Sequence, residues 1–440
     1  MSYRIPRTLT LLVLVAGLAP VSAPTNAASP LDARIDQLAS EIEGKVIEWR
    51  RDIHEHPELS NREFRTGALV AEHLRSLGFE VRAEVAHTGV VGTLKGGLPG
   101  KVVALRADLD GLPVVERTDL PFASTVTSEY NGGTVGVMHA CGHDTHVAML
   151  MGVAEVLAEI RESIPGTVKF LFQPAEEGPP AGERGGASLM VEEGALENPE
   201  PEAIFGLHVT SRAPTGVISY RPGGIMASAD SLRITIRGRQ THGAMPWLGV
   251  DPITISGHVL VALQSIPSRQ LDITASPAVV SIGSIHGGVR GNIIPEVVEM
   301  VGTIRSLDPD VRIEFHKRIK HTVEWIAESM GATAEVSIRL GAPVTYNDPQ
   351  LTERMLPTLR RVAGAERVVL ASPTTGAEDF SVFQQSVPGL FIFLGVTPPG
   401  TDPAKAPPNH SPLFEVDEDA LIVGVRVMAA LAMDFLAGEP

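Results

Sequence analysis

Apolar side chains recur at helical spacing from Leu31 to Trp49. A second amphipathic stretch, Glu63 to Leu77, runs into Gly78, a residue suited to the left-handed turn that closes a helix. Short apolar runs then alternate with helical ones. Gly89–Leu94, Val102–Ala107, Val168–Phe172 and Ala203–Leu207 read as strands, and His146–Ile160 as a helix. Strands that are apolar on both faces need cover on both, so this alternation predicts an α/β sheet flanked by helices. In such sheets ligands gather at the carboxyl ends of the strands.

Near residue 220 the period changes. Ser231–Arg237 and Val297–Arg305 alternate apolar and polar positions, as strands with one wet face do, and the helical stretches Ile253–Ile266 and Val311–Met330 accompany them. From Leu351 the α/β alternation resumes, with strand-like Val368–Ala371 and Leu390–Leu394 and a closing helix from Asp419 to Leu436. The pattern predicts an α/β main domain, a mixed sheet covered by helices, in two parts (29–220 and 337–440). Between them it inserts a smaller α+β, ferredoxin-like lid domain over 221–336.

Composition adds boundaries to this picture. The 440 residues suffice for one large core and a second smaller one. A hydrophobic fraction of 43% and a charged fraction of 20% are those of a folded chain. The net charge of −16 repels phosphate backbones, and no Lys/Arg cluster interleaved with aromatics overrides it, which argues against nucleic acid as a partner. Arg4 and Arg7 precede the apolar run Thr8–Ala19 and the small-residue stretch to Ala28, the anatomy of a signal peptide over 1–28 with cleavage near Ala27 or Ala28. The run is short for a membrane-spanning helix, which needs about 20 apolar residues. The expected product is exported, periplasmic or secreted, with no membrane attachment after cleavage. One cysteine, Cys141, excludes an intrachain disulfide.

Metal-binding side chains concentrate in four places: Met138-His-Ala-Cys-Gly-His-Asp-Thr-His146, Gln173-Pro-Ala-Glu-Glu177, Gly206-Leu-His-Val209 and Asn409-His-Ser-Pro412. Thiolate, imidazole and carboxylate together suit zinc, manganese, cobalt or nickel better than calcium or magnesium, which prefer oxygen. Taken singly, each has a plainer reading: Cys141 as a small core residue, His208 as a hydrogen-bonded core histidine, the Glu pair as a solvated turn. The pair directly follows an apolar strand that Pro174 terminates. Adjacent carboxylates point apart, so one can bind metal while the other acts as general base toward water. Asp108 and Asp110 end another strand, where they can orient metal-binding imidazoles or cap the turn before Gly111.

These residues resemble the di-metal amidohydrolases, which include hippurate hydrolases, N-acyl-amino-acid hydrolases, related carboxypeptidases and auxin-conjugate hydrolases. The resemblance covers nearly the whole chain after residue 28. It rests on Arg50-Arg-Asp-Ile-His-Glu-His-Pro-Glu-Leu59, Arg106-Ala-Asp-Leu-Asp110, His139-Ala-Cys-Gly-His-Asp144, Gln173-Pro-Ala-Glu-Glu177, Gly206-Leu-His208, His242-Gly-Ala-Met-Pro246, Gly291-Asn-Ile-Ile-Pro295, Gly376-Ala-Glu-Asp-Phe380 and Asn409-His-Ser-Pro412, in the family's order. It implies two divalent metal ions held by Cys141, His143, Glu177, His208 and His410, with Cys141 bridging them and Glu176 as general base. It also implies that the lid brings His242 and Asn292 over the substrate as oxyanion donors. Arg305 and Gly376 match positions near the substrate carboxylate. On the residues alone, His242 before Gly243 also reads as a turn residue and Arg305 as a solvated strand edge.

The implied reaction is hydrolysis of the amide bond in N-acyl-amino acids or small peptides with a free C-terminal carboxylate. An aminopeptidase or dipeptidase, or a non-catalytic metal- or peptide-binding protein, is the alternative. Relatives often dimerise through the lid, which leaves a homo-oligomer through the lid open by analogy, although the sequence does not decide the oligomeric state. His54-Glu55-His56 lacks the H-E-x-x-H spacing of zinc proteases and reads as structural; Lys95–Lys101 lacks the first glycine of a phosphate loop and reads as a turn. The stretch Gly178–Gly186 is longer than in the shortest relatives and is expected near the metals, where it would reshape the pocket.

Overall fold

Ser29 opens the first helix, α1 (Pro30–Glu55), through a reciprocal cap: its hydroxyl accepts from the Asp32 N–H while the Asp32 carboxylate accepts from the Ser29 N–H. The computed structural model describes residues 29–438, so the expected signal peptide lies outside the described residues. α1 runs six residues past Trp49 and buries Arg50, Ile53 and His54. After α2 (Phe64–Ser76) come β1 (Glu80–Val85), β2 (Gly89–Lys95) and β3 (Leu98–Asp108). Of the expected turn Lys95–Lys101 only Gly96 and Gly97 connect β2 to β3, Leu98–Lys101 being already strand, and the backbone is packed so closely there that a side chain on Gly96 would meet the Ile164 carbonyl at 2.2 Å.

α3 (His143–Glu159) begins three residues before the expected start, because Gly142 in the left-handed region (φ 94°) turns the chain directly into the helix. The polar run His143-Asp144-Thr145 hides that first turn in the sequence. β4 (Pro165–Gln173), β5 (Ala203–Pro214) and β6 (Ile218–Tyr220) follow. The lid comprises β7 (Asp230–Arg237), α4 (Pro252–Arg269), β8 (Ala278–Gly287), β9 (Val297–Ser306), α5 (Pro309–Ser329) and β10 (Thr333–Arg339). Its sheet order β8-β9-β7-β10, antiparallel throughout, makes it ferredoxin-like.

The sequence pattern does not predict β8 or β10. Both are edge strands that bury little, so neither shows a strong apolar period. The expected boundary at 336 falls inside β10, which pairs with β7 as far as Arg339. The chain then returns to the main domain through α6 (Pro349–Ala363), β11 (Val368–Leu370), β12 (Gly389–Thr397) and α7 (Asp419–Ala437).

The main sheet has the order β1-β2-β4-β3-β5-β12-β6-β11. β4, β3, β5 and β12 are mutually parallel, whereas β1, β2 and the β12/β6 pair are antiparallel, so the sheet is mixed. Helices α1, α3 and α7 cover one face; Phe380, Phe383, Phe391 and Met190 pack the other. α3 is apolar nearly all round because it is enclosed nearly all round; only Glu155, Ala158 and Glu159 are not buried. α7 is long and apolar enough to cross a membrane, yet 83% of that stretch is buried in the core, which makes it a core helix.

His54 is buried on α1, with Nδ1 2.9 Å from Asp144 Oδ2 and Nε2 3.1 Å from Glu116 Oε1. Arg50 lies 2.9 Å from the same Asp144 oxygen. Burial opposes a charge on the ring, but Asp144 and then Glu116 outweigh it and raise the His54 pKa. A raised histidine pKa stabilises the fold fully below its unfolded value of about 6.5, and the contribution disappears as pH rises through the folded value. Thermal melts between pH 6 and 9 are expected to show a decline in Tm that His54→Gln removes; an unchanged slope in the variant would assign the decline elsewhere.

Candidate metal centre

The parallel register sets Arg106 opposite Gly206 and Asp108 opposite Gln173, so the ends of β3 and β4 lie level with His208 on β5. The Glu pair leaves β4 through a turn held by carboxylates. Ala175, at φ 54°, donates its N–H to Glu63 Oε1 at 2.8 Å. Glu176 and Glu177 donate theirs to the two oxygens of Asp110, each at 3.0 Å. Three successive amides are therefore pinned, and with them the direction of each glutamate. Glu63, for which the sequence predicts no role, is buried; burial and the nearby Asp110 push its pKa up to about 8.

Each histidine shows which nitrogen is free. His143 donates from Nδ1 to the Asp110 carbonyl at 2.8 Å, and its buried Nε2 has no hydrogen-bond partner. His208 donates from Nδ1 to the Val209 carbonyl at 2.7 Å, and its Nε2 lies 3.3 Å from Cys141 Sγ. His410, in the left-handed region at φ 71°, is anchored by its N–H to the Ala140 carbonyl at 2.7 Å and brings Nε2 within 3.1 Å of Glu177 Oε1. Asn409, whose role the sequence also leaves open, ties that loop to the Cys141 and Val209 carbonyls at 2.9 and 3.1 Å.

Two donor sets result, Cys141 with His143 and His208, and Cys141 with Glu177 and His410; within each, the ligand atoms lie within 4.8 Å of one another. Cys141 belongs to both. The buried Glu177 Oε1 has no hydrogen bond of its own and lies 3.1 Å from His410 Nε2, which leaves the carboxylate oxygen open to a cation. A soft sulfur, imidazole nitrogens and a carboxylate that face each other without donors fit two borderline divalent cations. The neighbouring Cys141 and Glu177 raise the His410 pKa to about 10, a further sign that this spot draws positive charge. Of the three other clusters, two are built on Glu176, with His143 and Glu177 or with Glu378 and Asp379, and the last, Asp108 with His143 and His146, does not fit. His146 Nε2 already accepts the Val209 N–H at 2.9 Å, and its Nδ1 sits 2.5 Å from Asp108.

Beneath the donors lies Arg106, fully buried. It donates to Asp108 at 2.6 Å, to Glu378 at 2.8 Å, to Asp379 at 3.1 Å and to Gln173 at 2.8 Å. Asp108 therefore spans Arg106 and His146, while Asp110 serves both His143 and the Glu pair. Burial, then Glu378 and Glu177, hold the Glu176 pKa well above the usual carboxylate range. Arg106, Glu378 and Asp379 fall within the motifs Arg106–Asp110 and Gly376–Phe380, but nothing in a sequence marks an arginine as buried.

A cavity of about 630 Å³ opens over the donors, lined by Cys141, Glu176, Glu177, His208, Gly376 and His410 among others. His242, Asn292 and Arg305 do not line it. His242 and Asn292 share a tip of the lid, where the Gly243 N–H donates to the Asn292 carbonyl at 2.8 Å and His242 pairs with Ile293. Arg305 folds along β9 onto the Thr303 hydroxyl at 2.7 Å. The loop Gly178–Gly186 does not line this cavity; its Glu183 is held by Asn61 and Arg62.

Known proteins share this chain's sequence and fold. Residues 104–434 match the family described as peptidase family M20/M25/M40. The chain is 45% identical over 397 residues to thermostable carboxypeptidase 1 of Saccharolobus solfataricus, covering 90% of this chain and 96% of that protein. It is 37% identical over 390 residues to N-acetylcysteine deacetylase of Bacillus subtilis, covering 88% and 96%. Among solved structures, a dinuclear metal-binding M20 peptidase of Bacillus subtilis superposes with a TM-score of 0.76 at 34% identity, over 90% of this chain and 99% of that one.

Proposed function

The chain belongs to peptidase family M20/M25/M40, a family of metal-dependent hydrolases of amide bonds, and from that membership we propose that it cleaves N-acyl-amino acids or small peptides bearing a free C-terminal carboxylate. The observation that carries this reading is the pair of donor sets sharing Cys141, with Glu176 beside them. Two divalent ions held there would supply Lewis-acid polarisation of the scissile carbonyl and acidify water.

The chain's own groups do the rest. Glu176 Oε2, 3.9 Å from His143 Nε2, takes the proton from water and returns it to the leaving amine. Arg106 and Asp110 hold that carboxylate's surroundings in place. Closure of the lid would carry His242 and Asn292 to the oxyanion and Arg305 toward the substrate carboxylate, while Gly376, without a side chain, lets the substrate approach the cavity wall. The leader pattern supports export, and the exposed edge strand β8, with Val279 and Ile285 each 41% exposed, supports pairing of two lids in a homo-oligomer.

The test is a panel of N-acyl-amino acids and of blocked and unblocked dipeptides, each with Zn, Mn, Co or Ni. Cleavage of the N-acyl and N-blocked members is expected. Activity confined to substrates with a free amine would replace the reading with an aminopeptidase, and full metal occupancy without turnover would replace it with a binding protein.

A further inference from the structure

Among the described residues that line the cavity, Arg212 is the one side chain with a permanent positive charge. It lies on β5, four residues beyond His208, a separation of at most about 13 Å in extended chain. Its guanidinium donates to the Ala404 carbonyl at 3.3 Å, on the Pro-rich loop whose Asn409 and His410 line the cavity, and no carboxylate among the described residues pairs with it. The cavity's own acids have other roles: Glu176 faces the donor sets, Glu177 belongs to one of them, and Glu378 is bound to Arg106. The rest of the lining supplies apolar groups such as Met226 and Phe393 and hydroxyls such as Thr210 and Ser219, but no second Lys or Arg. A cation with free donors in such a wall discriminates for anions, because a charge-assisted hydrogen bond is favourable only when the partner is present.

The position of that cation decides which anion it reads. The scissile carbonyl must lie at the donor sets at the cavity floor, and the α-carboxylate of an N-acyl-amino acid follows within about 4 Å of it. Arg212 and its partner Ala404 are both exposed, so the guanidinium lies on the solvent side of the cavity, away from the buried Cys141 and His208. We propose that Arg212 is a specificity-determining residue that selects substrates carrying a second, distal carboxylate, beyond the one next to the cleaved amide. The proposal rests on the hydrolase reading and names its substrate class. The distal carboxylate comes either from an acidic side chain on the amino-acid side or from a diacid on the acyl side.

The experiment compares kcat/KM of the metal-loaded enzyme on two near-isosteric pairs, N-acetyl-glutamate with N-acetyl-glutamine and N-glutaryl-alanine with N-pentanoyl-alanine. N-acetyl-alanine is the reference. Wild type is expected to prefer the dianion of one pair by about 10- to 100-fold, the strength of one charge-assisted hydrogen bond, and the pair that responds identifies the side. Arg212→Gln should abolish that preference, mainly through KM, and leave N-acetyl-alanine unchanged. Added salt should shrink the preference in wild type only. Hydrolysis of N-acetyl-alanine with no preference in either pair overturns the proposal while the hydrolase reading stands. An equal loss on all substrates in Arg212→Gln also overturns it and assigns Arg212 to the α-carboxylate. Failure to cleave any of the five removes both.

Discussion

Glu176→Gln is expected to lower kcat/KM on an N-acyl-amino acid by about 10²- to 10⁴-fold, about 3–5 kcal/mol, with two metal ions per chain retained. The glutamine keeps the shape of the side chain but cannot take a proton. Its backbone amide still donates to Asp110, and the neighbouring Glu177 still faces His410. Metal analysis and the melting temperature should therefore match wild type. Removing one negative charge from a site where burial, Glu378 and Glu177 already disfavour the ionised form of Glu176 should leave stability equal or slightly higher. Activity within tenfold of wild type, at equal metal content, would remove Glu176 from the proton-transfer role.

Cys141→Ala should be as damaging for a different reason. The thiolate is common to both donor sets, so its loss leaves each with two protein ligands. Metal content after dialysis is expected to fall from two ions per chain toward zero, and kcat at limiting metal by about 10³-fold or more. The thiol is buried and small, so the packing cost is about 1 kcal/mol and the chain should fold. That contrast separates the bridging role from the plain one of a core residue, for which metal content and turnover would be untouched. Cys141→Ser, with a weaker and harder ligand, should fall between the two and regain activity in part at high Mn.

The fold is legible in the sequence where burial is complete. β2–β5, α3 and α7 are apolar because they are enclosed, and their runs stand out. β8 and β10 leave no such trace because an edge strand has little to bury. The donors are legible as types, since thiol, imidazole and paired carboxylates cluster at the ends of apolar runs. Their supports are not. Glu63, Arg106, His146, Asn409 and Glu378 are ordinary polar residues in a sequence, and only packing makes them neighbours.

By itself the sequence determined the donor residue types, the α/β alternation and the interrupting α+β segment, because each depends on residue type and period. Only the tertiary structure decided that Cys141 faces two donor sets and that Asp110 pins the Glu pair. It also decided that Arg212 rather than Arg305 lines the cavity. Those facts depend on register and on distances between residues as far apart in the chain as Cys141 and His410, and no local pattern encodes them.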